Sequence, residues 1–192
     1  GFVTCVQLGL SCIEAVAESG GRFDVLVTLR DDLARTKSGR VYLDEIAEHH
    51  TMPLHKIRHI NDAETVELLE SYDLDWLFVI GWSQILSDAA LRSVRQGVLG
   101  MHPTLLPNGR GRAAIPWAIL KGLDRTGVTL FKLDGGVDTG PIVAQQVVPI
   151  GARETSSTLY QKINAAHRTL MLDVWTAVCR DDVPLESQDE TL

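Results

Sequence analysis

The chain has 192 residues, 45% of them hydrophobic, enough to bury a core of its own and read here as a single globular domain, residues 1–192. Its net charge is −7, and its densest basic cluster (Arg30, Arg35, Lys37 and Arg40) is diluted by Asp31 and Asp32, which argues against a nucleic-acid partner. Three cysteines without CxxC spacing argue against a structural zinc and fit a reduced, cytoplasmic setting, and the longest apolar run, Trp76 to Trp82, is too short to span a bilayer.

No signal peptide is expected, and a start at Gly1 without Met leaves an earlier native start open. Phe2 to Cys5 reads as a short buried strand. Leu8, Cys12, Ile13, Val16 and Ala17 then recur at helical spacing over Leu8 to Ala17. "FDVLVTL", Phe23 to Leu29, is a strand, and the polar Arg30 to Arg40, with Ser38-Gly39, a loop. A helix is expected over Val41 to His50, stopped before Met52-Pro53. "NDAE" predicts a capping box, with Asn61 as cap and Glu64 three residues on, opening a helix to about Tyr72. "DWLFVIG" from Asp75 is a continuous apolar strand, as in a sheet covered on both faces. Ser87 caps a helix through Arg95, and "GVLGM" from Gly97 is the next strand. Gly127 to Leu133 and Ile142 to Ile150 are two more. A last helix runs from about Thr155 to Cys179 behind the stripe Leu159, Ile163, Ala166, Leu170, Val174 and Val178.

Strands and helices alternate over the first half, which predicts an α/β fold with a doubly wound, mostly parallel sheet and a mixed edge. Ligands of such sheets bind outside the carboxyl ends of the strands. Gly81-Trp82 and His102 both follow predicted strands. The first turn, "TCVQLG", has neither GxGxxG nor a Walker lysine, which disfavours a nicotinamide or ATP role.

Two segments carry chemistry. "LGMHPTLLPNGRGR" sets His102 before a Pro- and Gly-rich loop, as a base at a strand end or as a turn histidine. "KLDGGVDTGP" follows a strand, its glycines letting a ligand approach the backbone; Asp138 there either orients a histidine or closes an Asx turn. Arg110 and Arg112 are candidates to grip a phosphate, or are surface charges. His55 and His59 have i, i+4 spacing, but no third ligand is evident and no metal is expected. Trp117 is expected to pack the helix after the loop. Trp82 either joins the core or walls a pocket.

"HPTLLPNGRGR", "IPWAI", "TGVTLF" and "DGGVDTG", in that order, resemble the N10-formyltetrahydrofolate-dependent formyltransferase family, most densely from Leu86 to Gln145. The "RGRxxIxWAI" run looks most like its amino-sugar members. The resemblance implies a Rossmann-like formyltransferase fold and formyl transfer from N10-formyltetrahydrofolate, without a metal, to a primary amine. It puts His102 on the catalytic histidine and Asp138, 36 residues later, on the catalytic aspartate. The folate would lie against Gln84, Ile85 and Leu86 on one loop and Asp134, Gly135, Gly136 and Val137 on another. Trp82, Arg110 and Arg112 would face the acceptor. Gly100 stands where the family has a catalytic Asn that donates to the oxyanion. Losing one such donor costs roughly 3–4 kcal/mol in other enzymes.

The chemistry agrees with these residue types. Formyl transfer passes through a tetrahedral oxyanion and needs a group that takes a proton from the amine and returns it to the leaving nitrogen. An imidazole, titrating near neutrality, suits both steps. The resemblance points to a small amine acceptor such as a nucleotide-linked amino sugar rather than tRNA, with a homodimer compatible. A formyltetrahydrofolate hydrolase and a non-catalytic folate-binding module are the alternatives.

Overall fold

The computed structural model describes residues 1–34 and 39–189. The chain forms two compact units, Gly1–Leu99 and Gly100–Leu192.

The first unit builds a parallel α/β arrangement in the strand order β3-β2-β1-β4. These strands are β1 (Phe2–Val3), β2 (Leu26–Leu29), β3 (Leu54–Ile57) and β4 (Trp76–Ile80). Phe2 pairs with Leu26 on one side and Phe78 on the other, both in parallel register. β1, β2 and β4 are buried along their whole length, so their apolar residues are consecutive rather than alternating. Phe2, Phe23 and Phe78 form an aromatic cluster with centroids 5.0–6.1 Å apart. Burying each such ring stabilises by roughly 1.5–3 kcal/mol. Helix α1 (Gln7–Glu18) buries Leu8, Cys12, Ile13 and Val16, one stripe of its surface.

Several expectations need correcting here. Asp31–Ala34, expected as loop, is a short helix, α2, with two acidic residues in its first turn. Residues 35–38 of that expected loop, Arg35, Lys37 and Ser38 among them, lie outside the described residues. Helix α3 is confined to Asp44–His49. Strand β3 was not expected at all: "LHKI" has one buried position and pairs only with β2 in the unit's order, so it lacks a continuous apolar signal. Helix α4 (Ala63–Ser71) starts from Asp62, without a side-chain cap. Asn61 is not its cap, because its amide is spent on another segment: Nδ2 donates to Ile85 O (2.9 Å) and Oδ1 accepts from Ser87 N (2.8 Å). Helix α5 (Asp88–Leu91) is capped by Ser87 as expected but ends a turn earlier.

The unit boundary falls inside β5 (Gly97–His102), so His102 is the last residue of a strand rather than the first after it. Helix α6 (Ala114–Leu120) follows, then β6 (Arg125–Lys132) and β7 (Ile142–Pro149). The order is β5-β6-β7, with β6 and β7 antiparallel from Arg125↔Pro149 to Phe131↔Ile142. Helix α7 (Ser156–Cys179) packs on β6, β7 and α6. It opens with a capping box at Thr155 and Thr158. Its buried stripe contains Leu159, Ile163, Ala166, Leu170 and Val174, with Val178 only partly covered. The fold is an α/β arrangement of seven strands in a mostly parallel sheet. Among the described residues no helix is long and apolar enough to cross a membrane.

Candidate active site

His102 is carried to its position by β5, buried along its length, and is itself only 8% exposed. Its Nε2 lies 2.9 Å from Gly109 O. A carbonyl only accepts, so Nε2 carries the proton and donates. The other nitrogen, Nδ1, faces Asp138 Oδ2 at 3.5 Å. The structure therefore brings together the two residues that the sequence separates by 36 positions.

Asp138 is held in the left-handed region, at φ 55°. Asp tolerates this conformation better than most residues, and such strain persists where neighbours fix it. Here neighbouring groups fix it from two sides. Asp138 Oδ2 accepts from Gly111 N (2.8 Å), and Gln188 Nε2 donates to both Asp138 O (2.9 Å) and Gly140 O (2.7 Å). Gly111 takes φ 98°, which suits a residue without Cβ. Gln188 Oε1 in turn accepts from Arg110 Nε and Nη2. Arg110 is thus tied to the Asp138 loop through one glutamine, a link that its sequence neighbourhood did not announce.

The loop between His102 and α6 is braced from below. Thr129 on β6 donates its hydroxyl to Thr104 O (2.7 Å) and accepts from Leu106 N (3.1 Å). Gln145 on β7 donates to Leu106 O and to Thr129 Oγ1, both at 2.8 Å. A buried backbone group left unpaired costs about 1–3 kcal/mol, so this network holds the loop firmly.

Gly100 lies in β5 and its φ is not in the positive range. A Cβ there would meet Leu133 Cδ2 at 2.7 Å and Phe131 Cε1 at 3.5 Å. The space that a side chain at this position would enter is therefore filled by Leu133. Glycine is present for room, not for backbone conformation.

The Gly-rich loop is ordered by Asp134, whose Oδ1 accepts from Gly136 N (3.0 Å) and from the Thr139 hydroxyl (2.7 Å). A Cβ on Gly136 would strike Thr139, whereas one on Gly135 would meet nothing within 4 Å. Val137 is 57% exposed. In the first unit, the loop after β4 is tied down by its own side chains and their neighbours. Gln84 Oε1 accepts from Ile60 N (2.8 Å) and its Nε2 donates to Arg58 O (3.2 Å). Asn61 fastens Ile85 and Ser87, leaving the Ile85 side chain 74% exposed. Gln84 thus acts as a brace. Leu86 is partly covered, as is Trp82, whose buried Nε1 has no hydrogen-bond partner among the described residues.

Arg110 and Arg112 line a cavity of about 710 Å³ in the second unit. Trp117 is on its wall and 53% exposed, which corrects the expectation that it packs α6; Ala114, Ile115 and Ala118 do that. His55 lies in β3 and His59 in the loop that follows it. His55 Nε2 contacts the Tyr72 hydroxyl (2.8 Å), and His59 Nδ1 accepts from Asn61 N (3.1 Å).

Comparisons with known proteins bear on this arrangement. A methionyl-tRNA formyltransferase of Agathobacter rectalis is 30% identical over 90% of this chain and 56% of its own length. The chain therefore spans little more than half of that relative. The crystal structure of glycinamide ribonucleotide transformylase 1 from Symbiobacterium toebii superposes with a TM-score of 0.81, at 22% identity, over 98% of this chain and 92% of that one. An N-formyltransferase from Helicobacter canadensis, in complex with folinic acid and dTDP-3-aminofucose, gives a TM-score of 0.77 at 19% identity, over 98% and 66%. These two likenesses establish the fold. The Formyl transferase family itself matches residues 25–175, which include both loops and the His102–Asp138 pair, and the chain belongs to that family.

Proposed function

We propose that the chain acts as one catalytic domain that transfers a formyl group from N10-formyltetrahydrofolate to a primary amine, with His102 and Asp138 as the acid–base pair. The observation that carries this reading is the His102 Nδ1–Asp138 Oδ2 approach of 3.5 Å, in a chain of the Formyl transferase family. Gly109 O holds the proton of neutral His102 on Nε2, so Nδ1 is the basic nitrogen. Nδ1 takes the proton that the amine loses as its nitrogen bonds to the formyl carbon. The resulting imidazolium faces the Asp138 carboxylate. It then returns the proton to the departing folate nitrogen as the old carbon–nitrogen bond breaks, so no net proton is gained or lost. Gly100 supplies no side-chain donor to the oxyanion, and the imidazolium is the cation available beside it. Catalysis is expected to be slower than in a relative with an Asn at that position, by up to roughly 3–4 kcal/mol of barrier.

Two segments are each proposed to contact the folate: in the first unit the backbone of Gln84–Leu86 with the exposed Ile85, and in the second that of Asp134–Val137 with the exposed Val137. The open space at Gly135 supports a close approach of a planar ring to that loop. The acceptor is assigned as a small amine, of which a nucleotide-linked amino sugar is the leading case, contacted by Trp82, Arg110 and Arg112. Hydrolysis of the formyl donor is the second reading, favoured by Gly100: a site with one oxyanion donor fewer and no amine bound would admit water as acceptor. Incubation with formyltetrahydrofolate, with and without a panel of amines, separates the two. Amine-dependent release of tetrahydrofolate supports transfer, amine-independent release supports hydrolysis, and binding without release overturns both.

A further inference from the structure

We propose that the cavity beside α6 takes the anionic, ring-bearing end of the acceptor, a nucleoside diphosphate group, with Trp117 as the stacking surface and Lys121, Arg125 and Arg112 as the phosphate contacts. This rests on the reading of the site as formyl transfer to a small amine.

The cavity's size, about 710 Å³, lies within the roughly 300–1,000 Å³ of small-molecule pockets. Its charge is unlike that of the chain. Arg110, Arg112, Lys121 and Arg125 line it against a single acid, Asp124, in a protein of net charge −7. Arg112, Lys121 and Arg125 form no ion pair among the described residues. Arg110 is already directed by Gln188. A concave group of cations of this kind suits a multiply charged phosphate.

Two further features point to a ligand. Trp117 leaves 53% of its surface exposed on the cavity wall, a cost that stacking against a planar ring would offset. Thr104, also on the wall, is only 8% exposed, yet its Oγ1 is buried without a hydrogen-bond partner among the described residues. A buried hydroxyl without a partner is costly and is the kind of group a bound ligand satisfies. The cavity also shares its wall with the site. Gly109, whose carbonyl holds His102 Nε2, lines it, and so does Arg110. An occupant would therefore lean on the loop that fixes the base. A long polyanion is disfavoured by the chain's net charge of −7.

The test is calorimetric titration of the whole chain, without folate, using thymidine diphosphate, thymidine and inorganic pyrophosphate as probes. Thymidine diphosphate should bind, with thymidine and pyrophosphate each at least about tenfold weaker, since one lacks the charge and the other the ring. Trp117→Ala and Arg125→Gln should each weaken thymidine diphosphate about tenfold or more, given the energy of base–aromatic stacking and of charge-assisted bonds. Both residues are exposed, and equal melting temperatures would confirm intact folding. Three results would overturn the assignment: no binding of thymidine diphosphate, binding insensitive to both variants, or tighter binding of a short single-stranded RNA weakened by the same variants. Formyl transfer to a phosphate-free amine is measured alongside. If it proceeds while thymidine diphosphate fails to bind, only the cavity assignment falls. If thymidine diphosphate binds as described but no amine is formylated, the catalytic reading falls and the cavity remains a nucleotide site without that role.

Discussion

The loop after β4 and the loop after β5 are held in opposite ways. In the loop after β4, side chains do the holding: Gln84 and Asn61 anchor the turn, and backbone and an exposed Ile85 are left facing outward. In the loop after β5, the backbone is gripped from below by Thr129 and Gln145, with His102 closing the strand before it and the side chains of Arg110 and Arg112 on the wall of the cavity. A loop that offers backbone suits recognition of a ring by shape. A loop that offers side chains on a fixed backbone suits proton transfer, which demands close positioning. The proposed function gives folate binding to the first loop and turnover to the second, a division that can be attacked at both ends.

The largest effect is expected at His102. His102→Ala should lower kcat by about a hundredfold or more, because it removes the proposed general base, while folate affinity stays within about twofold. Steady-state kinetics beside direct folate titration check this. Near-normal kcat would remove the second loop from the chemistry.

Acid should separate the two units themselves. His167, on α7, is buried and donates its Nδ1 proton to Ile163 O (2.8 Å). Burial pushes its pKa down from 6.5 to about 4, with the His102 charge a smaller contribution in the same direction. Between those values the unfolded chain binds a proton that the folded chain refuses. Stability is therefore full above about pH 6.5 and falls as pH drops towards 4, by about 3 kcal/mol in all. Hydrogen exchange should show residues 100–189 losing protection on acidification before residues 1–99. A His167→Gln variant should flatten the pH dependence of the denaturation midpoint.

Asp138→Asn comes next. Asn tolerates φ 55° and can still accept from Gly111 N, so the loop should keep its shape while the charge opposite Nδ1 is lost. Charge-assisted bonds contribute about 1.5–3 kcal/mol, which predicts a 10- to 100-fold fall in kcat. A fall in melting temperature with kcat unchanged would make Asp138 a turn residue only.

The two braces give a paired comparison. Thr129→Val strands Leu106 N and Thr104 O, costing about 1–3 kcal/mol, and should lower kcat. Asn61→Ala releases Ile85 O and Ser87 N near the surface, costing about 1 kcal/mol, and should raise the folate KM instead. If the two variants shift the same kinetic parameter, the division of labour is wrong.

Gly100 tests the comparison from the other direction, by adding a group rather than removing one. Gly100→Asn alone forces Leu133 aside and should cost about 1–3 kcal/mol. Adding Leu133→Ala makes room, and the double variant should recover stability and exceed the parent in kcat if the position faces the oxyanion. Unchanged kcat in a stable double variant would place the reacting carbonyl elsewhere.

Much of the framework was legible because it depends on residue types in order. The apolar runs at Leu26 to Leu29 and Trp76 to Ile80 announce buried strands, and the His-Pro and Gly-Asp segments announce a rim. What was not legible is whatever depends on partners distant in sequence. Asn61 looked like a cap because Glu64 follows three residues later, yet Ile85 and Ser87 outbid the helix for its amide. "LHKI" hides a strand because one face of an edge strand needs no apolar residues. Gln188 lies in a polar tail without pattern, and only the fold brings it under Asp138. Gly100 could be recognised as a departure, but not that Leu133 fills the space beside it.

The fate of a labelled formyl group tests the central claim most directly. Formyltetrahydrofolate carrying carbon-13 in the formyl group, incubated with the chain and an amine and followed by NMR, should yield a formamide signal that rises with amine concentration and disappears in the His102→Ala variant. Label released only as formate, at a rate indifferent to the amine, or label transferred equally well by the variant, would contradict the account.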